Sequence, residues 1–151
     1  MNILTVNAGS SSLRLALFCF EGLNTILVAE ASYPRDISQQ TKQLHKFLSK
    51  HANRVNLVAH RLVHGGDRIT GPVIVDARVE SDIEWLALLA PLHNPATMAL
   101  IRSCRDELGK DMVQVVVPDT GFYTDLPEVA SKYALPPGLC KRHQIHLSLI
   151  H

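Results

Sequence analysis

The chain begins with two short apolar patterns of period two. Ile3 to Val6 is rich in β-formers, and Leu13, Leu15 and Leu17 then alternate with Ser12, Arg14 and Ala16. Such alternation places one set of side chains on each face of a strand. Between the two lies Asn7-Ala8-Gly9-Ser10-Ser11, a turn composition. The opening therefore predicts a β-hairpin with a polar tip. A third strand is expected near Thr25 to Ala31. Asp36 and Ser38 are suited to cap a helix whose apolar face includes Leu44, Phe47 and Leu48. Asn56 to Val63 predicts a further strand. It runs into His64-Gly65-Gly66-Asp67, where paired glycines mark a tight backbone. A short strand is expected at Val73 to Val75. Helices are expected from Val79 to Leu89 and from Pro95 to Leu108, with Pro95 in a first turn, where a missing N–H costs nothing. Met112 to Val117 reads as a buried strand closed by Pro118, and Pro136, Pro137 and Gly138 predict an irregular tail. Strands come first and helices are interleaved later, so the class is α/β with a mixed sheet.

Composition narrows the function classes. The 151 residues suffice for one domain with a real core. A net charge of +1 gives no general reason to bind nucleic acid or an anionic membrane. No apolar run approaches the roughly 20 residues of a membrane span. The N-terminus enters a strand pattern directly, without the basic start and cleavage site of a secretory signal. Cys19, Cys104 and Cys140 are odd in number and lack metal-type spacing. They read as reduced thiols of a cytoplasmic protein.

Four segments carry residues suited to chemistry. In NAGSSSLR (Asn7 to Arg14), backbone N–H groups, serine hydroxyls and a cation form a cradle for an oxyanion, phosphate being the natural guest. The same composition also describes a solvated surface turn. In HRLVHGG (His60 to Gly66), Arg61 sits in an apolar strand and must find an anion or reach solvent. It suits a bidentate carboxylate or phosphate, or a structural ion pair on an edge strand. LAPLHNP (Leu89 to Pro95) puts His93 before a helix, as an anion donor, an acid/base or a cap. PDTGFY (Pro118 to Tyr123) puts Asp119 just past a buried strand, placed for Mg²⁺, for a proton or for a turn. Together, a hydroxyl-rich cradle, an arginine, a histidine and an aspartate suit phosphoryl transfer, where positioning and charge neutralisation carry the catalysis.

NAGSSSLR, HRLVHGG, LAPLHNP and DTGFY…LP, in this order and approximate spacing, resemble the acetate kinase (acetokinase) family, which includes propionate kinases, over about residues 2–146. The resemblance implies an actin-like, ribonuclease H-like fold of the acetate and sugar kinase superfamily, built from two duplicated domains. It implies transfer of the ATP γ-phosphoryl group to acetate or propionate, with Mg²⁺, in a homodimer. By the same match Asn7, Ser10 and Ser12 lie on the phosphoryl and Mg²⁺ side, with Asn7 toward the metal. Arg14 stands where the family usually has lysine. Arg61 matches the arginine that holds the substrate carboxylate and the transition state. Val63 and Leu92 match walls of the acyl pocket, His93 a histidine at the phosphoryl site, Asp119 the catalytic aspartate, and His146 the transition-state histidine.

Two departures stand out. Gly121-Phe122-Tyr123 replaces the family's Ala-Phe-His, and the glycines around His146 are replaced by Gln144 and Leu147. The resemblance further implies that residues 1–151 are a single N-terminal domain without the nucleotide-binding C-terminal one. Little or no kinase activity is then expected of the isolated chain. The alternatives are a non-catalytic fragment that binds phosphate or a small carboxylate, and one half of a two-chain assembly. Ile145, Leu147, Leu149 and Ile150 form an apolar tail suited to self-association.

Overall fold

The computed structural model describes residues 1–123, 127, 133–143 and 145. The predicted hairpin is β1 (Asn2–Ala8) and β2 (Ser12–Glu21), antiparallel with Val6 opposite Leu15 and Ala8 opposite Leu13. Strand β3 (Asn24–Pro34) continues antiparallel along β2 and is longer than its apolar run suggests. Strand β4 (Leu57–Leu62) then pairs with β1 in parallel, Thr5 opposite Ala59. The short β5 (Val73–Ile74) is antiparallel to β6 (Gln114–Pro118), which runs parallel to β4 with His60 opposite Val116. The sheet is mixed, in the order β3-β2-β1-β4-β6-β5.

The helices are α1 (Gln40–His51), α2 (Ala77–Leu86), α3 (Asn94–Leu108) and α4 (Pro137–His143). The Leu44, Phe47 and Leu48 stripe of α1 packs with Leu4, Val6, Leu13, Leu15 and Leu17 of the hairpin. On the same sheet face, α2 packs Val79, Ile83 and Leu86 with Leu62 and Val116. Helix α3 joins the two clusters, giving Leu100 and Cys104 to the first and Met98 and Ile101 to the second. Each of the fully buried leucines contributes about 2 kcal/mol relative to exposure. The opposite parity of the central strands, with Thr5, Asn7, Ala59 and Arg61, is half-buried.

The helices differ from the sequence expectation at both ends of α2, at the cap of α1 and in the tail. Asp36 does not cap α1: its carboxylate accepts from the Ser38 N–H and hydroxyl, closing a turn upstream, and Gln39 occupies the cap position. Helix α2 starts two residues before Val79 because Asp76 caps it, accepting from the Val79 N–H at 2.7 Å. It ends at Leu86, and turns carry the chain to α3. The tail expected to be irregular contains α4, which begins at Pro137, where proline is tolerated in a first turn.

Two features of β4 and its exit tie stability to the sequence. The His60 ring is buried, with Nε2 2.8 Å from Gln114 Oε1, while Gln114 Nε2 donates to the Ile101 carbonyl at 3.2 Å. Its Nδ1 is buried without a partner among the described residues. Burial pushes the imidazole down to about 4, opposed in part by the Gln114 hydrogen bond. At the exit, a Cβ added to Gly65 would lie 1.9 Å from the Ile69 carbonyl oxygen and 2.9 Å from Pro118 Cβ. Gly66 follows with φ +54°.

Both features predict measurable effects. The unfolded chain takes up a proton on His60 below the ordinary imidazole value near 6.5, and the folded chain does not until about 4. Folding stability from this residue is therefore complete above pH ~6.5. It falls by roughly 3 kcal/mol as the pH is lowered to 4. Urea unfolding against pH should show one more proton taken up on unfolding than in His60→Leu, and equal slopes would contradict this. Gly65→Ala should cost about 3 kcal/mol or more, because the backbone itself must move. An unchanged urea midpoint would show that the 64–69 segment is not closed in this way.

Candidate active site

In a parallel sheet the C-terminal ends of adjacent strands gather side chains from distant parts of the chain, and ligands bind there. Here those ends belong to β1, β4 and β6, and they carry Asn7, Arg61 and Asp119. Arg61 is not on an edge strand; β4 lies between β1 and β6. Its Nε donates to both Asp119 oxygens at 2.9 and 3.0 Å, and its Nη2 donates to Oδ2 at 2.5 Å. Its Nη1 donates to Asn7 Oδ1 at 3.1 Å. The Asp119 hydrogen bonds raise the Arg61 pKa further, partly opposed by burial, so the guanidinium is always charged. A guanidinium has five N–H groups. Among the described residues three are engaged, by Asp119 and Asn7, which leaves one on Nη1 and one on Nη2. The side chain is 31% exposed and Asp119 13%, so the pair is partly open to solvent.

The hairpin tip lies against this pair. The Gly9 N–H donates to the Ser12 carbonyl at 2.9 Å. A Cβ at Gly9 would lie 3.2 Å from that carbonyl oxygen and 3.8 Å from Arg61 Nη1. Ser10 and Ser11 are exposed and Ser12 is half-buried at the start of β2. Arg14 is exposed and sits opposite Asn7 in the hairpin register.

His93 occupies the N-cap position of α3 without making a side-chain cap. It is buried, and its Nδ1 has no partner among the described residues. Burial first, and then the positive charges of Arg35 and Arg61, push its pKa down, while Asp119 acts the other way. The ring is therefore neutral near pH 7 and offers an N–H without adding charge. Leu92 is 66% exposed beside it, whereas Val63, just past β4, is buried. His146 lies outside the described residues, as do Gln144, Leu147, Leu149 and Ile150.

Sequence reasoning did not single out the side chains that lock these segments together. Thr97 donates from α3 to the Arg61 carbonyl at 3.3 Å. Asn94 Nδ2 donates to the carbonyls of His64 and Leu86, at 3.1 and 3.2 Å. The Gly65 N–H donates to Thr120 Oγ1 at 3.1 Å. Arg35 Nη2 donates to the Leu92 carbonyl at 2.7 Å, and its Nη1 to the Ser10 carbonyl at 3.2 Å. The available signal was polarity at positions of a helix that face inward, as for Asn94 and Thr97.

Mg²⁺ prefers oxygen ligands, with one or two carboxylates besides substrate oxygens. Among the described residues no three His, Cys, Asp or Glu side chains converge on one point. The Asn7 oxygen already faces the Arg61 cation, and both Asp119 oxygens accept from Arg61. The described residues alone therefore do not fit a magnesium site. Cys104, buried under α3, has its thiol pushed up to about 12 by burial and is no nucleophile.

Comparison with known proteins places this arrangement. Residues 20–151 match the model of the acetokinase family. The chain is 37% identical to an acetate kinase of Arthrobacter sp. (strain FB24), over 96% of its own length and 42% of that protein. It is 33% identical to an acetate kinase of Campylobacter concisus, over 96% of its length and 43% of the relative. Among solved structures, Porphyromonas gingivalis acetate kinase superposes with a TM-score of 0.74 at 26% identity, covering 96% of this chain and 44% of that one. A propionate kinase from Francisella tularensis gives 0.70 at 29% identity, with the same coverage. The chain thus spans less than half the length of the curated relatives it matches. The mixed sheet is the actin-like, ribonuclease H-like one of the acetate and sugar kinase superfamily. With its four motifs brought to one end of that sheet, this chain belongs to the acetokinase family.

Proposed function

We propose that the chain supplies the carboxylate-binding wall of a phosphotransferase that moves the ATP γ-phosphoryl group to acetate or propionate. The observation that carries this reading is the state of Arg61. Asp119 and Asn7 fix its plane, and two N–H groups remain for a second carboxylate. In this role Arg61 holds the acyl carboxylate in line while one of its oxygens attacks the γ-phosphorus, the bond to the bridging oxygen breaks and ADP leaves. Ser10, Ser12 and the backbone of the tip face the transferred phosphoryl, with Arg14 as the outlying cation. His93, held neutral, donates an N–H to a phosphoryl oxygen. Asp119 keeps Arg61 oriented, and Val63 and Leu92 meet the acyl methyl.

Phosphoryl transfer of this kind needs both reactants held in line and shielded from water. The described residues supply groups for the acyl side. Among them no three His, Cys, Asp or Glu side chains converge to hold Mg²⁺. The 151-residue chain alone is accordingly expected to bind a short carboxylate without turning it over. Combined with ATP and acetate, it should give no acyl phosphate above background in a coupled assay. Steady turnover would overturn that part of the reading.

Binding is the direct test. Titration of ¹³C-acetate should show saturable binding to the unaltered chain. Arg61→Lys should weaken it by about tenfold to a hundredfold, the value of a lost pair of charge-assisted hydrogen bonds. Equal affinities for the two chains would remove Arg61 from the carboxylate site.

A further inference from the structure

Arg35 follows the last residue of β3, which lies opposite Ser12 in the sheet register. Its own N–H donates to the Ser11 carbonyl at 3.0 Å. From there the guanidinium reaches in two directions, to the Ser10 carbonyl at 3.2 Å and to the Leu92 carbonyl at 2.7 Å. The first acceptor belongs to the serine-bearing tip. The second belongs to the segment that carries Leu92 and His93. We infer that Arg35 is a positioning residue of this site, a strap that sets the gap between the serine tip and the Leu92–His93 segment.

The inference rests on the carboxylate-site reading above and extends it to a residue outside the four motifs. Both acceptors are main-chain carbonyls, so the strap constrains the path of two backbones rather than two rotamers. The two bonds leave from different terminal nitrogens, Nη1 and Nη2, whereas a lysine would have to reach both carbonyls from one nitrogen on a more flexible stem. The bonded partners lie 25 and 57 residues away in sequence, so the link is tertiary. The charge has a second consequence. Arg35, after burial, is a cause of the lowered His93 pKa, with Arg61 acting in the same direction and Asp119 against it. A strap that holds the segment in place thus also helps keep the imidazole neutral.

The test uses the full 151-residue chain with Arg35→Met, which removes donors and charge, and Arg35→Lys, which keeps the charge. Amide exchange is read at Gly9, bonded to the Ser12 carbonyl, and at His93, bonded to the Ala90 carbonyl. Val58, bonded to the Val113 carbonyl within the sheet, is the reference. In Arg35→Met, Gly9 and His93 should both exchange about tenfold faster while Val58 is unchanged, the size expected for a lost charge-assisted bond. The His93 titration should move up, and ¹³C-acetate affinity should fall about tenfold. In Arg35→Lys the His93 titration should return toward that of the unaltered chain while both loops stay fast. Unchanged exchange at both loops, or a change at only one, overturns the strap. Should Arg35→Met fail to fold, the exchange rates of Arg35→Lys decide by the same criterion. Absence of acetate binding by the unaltered chain would overturn the carboxylate-site reading instead, and the exchange data would still decide the strap.

Discussion

The Arg61–Asp119 pair is the interaction on which the site depends. Arg61 projects from a central strand, where an isolated cation would be costly to bury. Asp119 removes that cost with a bidentate contact, and Asn7 takes a third N–H. The pair exists only because β4 runs parallel to both β1 and β6, so that three strand ends separated widely in sequence arrive side by side. The core on the helix-covered face holds that order. Leucines at alternate positions of the hairpin and the stripes of α1, α2 and α3 fix the register, and one step of slip would turn Arg61 into the core.

From this pair the surrounding structure follows outward in layers. Thr97 grips the Arg61 carbonyl, Asn94 the carbonyl of His64, and Thr120 the N–H of Gly65. Asn94 and Thr120 each tie one motif to another, Thr97 anchors the second motif to α3, and the Arg61–Asn7 bond brings in the first. His93 then sits at the head of α3 among two arginines and one aspartate, where it stays uncharged. A neutral histidine thus lies near a permanently charged arginine, one a directional donor and the other a fixed charge. The buried His60, one residue before Arg61, points into the opposite face and belongs to the core's hydrogen bonding with Gln114.

Much of the fold was legible because it depends on local rules. Period-two leucines around a Gly/Ser turn could hardly be anything but a hairpin, and the stripe of α1 was plain. The boundaries were less so, since a cap at Asp76 or a helix opening on Pro137 depends on one hydrogen bond or one tolerated position. At the site, the residue types of Arg61, His93 and Asp119 marked them as candidates, Arg61 most sharply because a cation in an apolar strand must find a partner. What could not be read was their convergence. That Asp119 would meet Arg61, and that the Asn7 oxygen would face a cation, depends on parallel pairing between strands more than 50 residues apart. Arg35 was silent for the same reason, as both of its acceptors are backbone groups that leave no trace in sequence.

Arg61 is held by Asp119 and Asn7 and, in the proposed role, keeps two donors for a substrate carboxylate. Guanidinium ¹⁵N NMR of the chain during an acetate titration tests it most directly. The Arg61 Nη resonances should shift and saturate, while Nε, locked to Asp119, stays in place. An Arg61 unmoved by acetate, or an Nε that shifts as strongly as Nη because acetate has displaced Asp119, would contradict it.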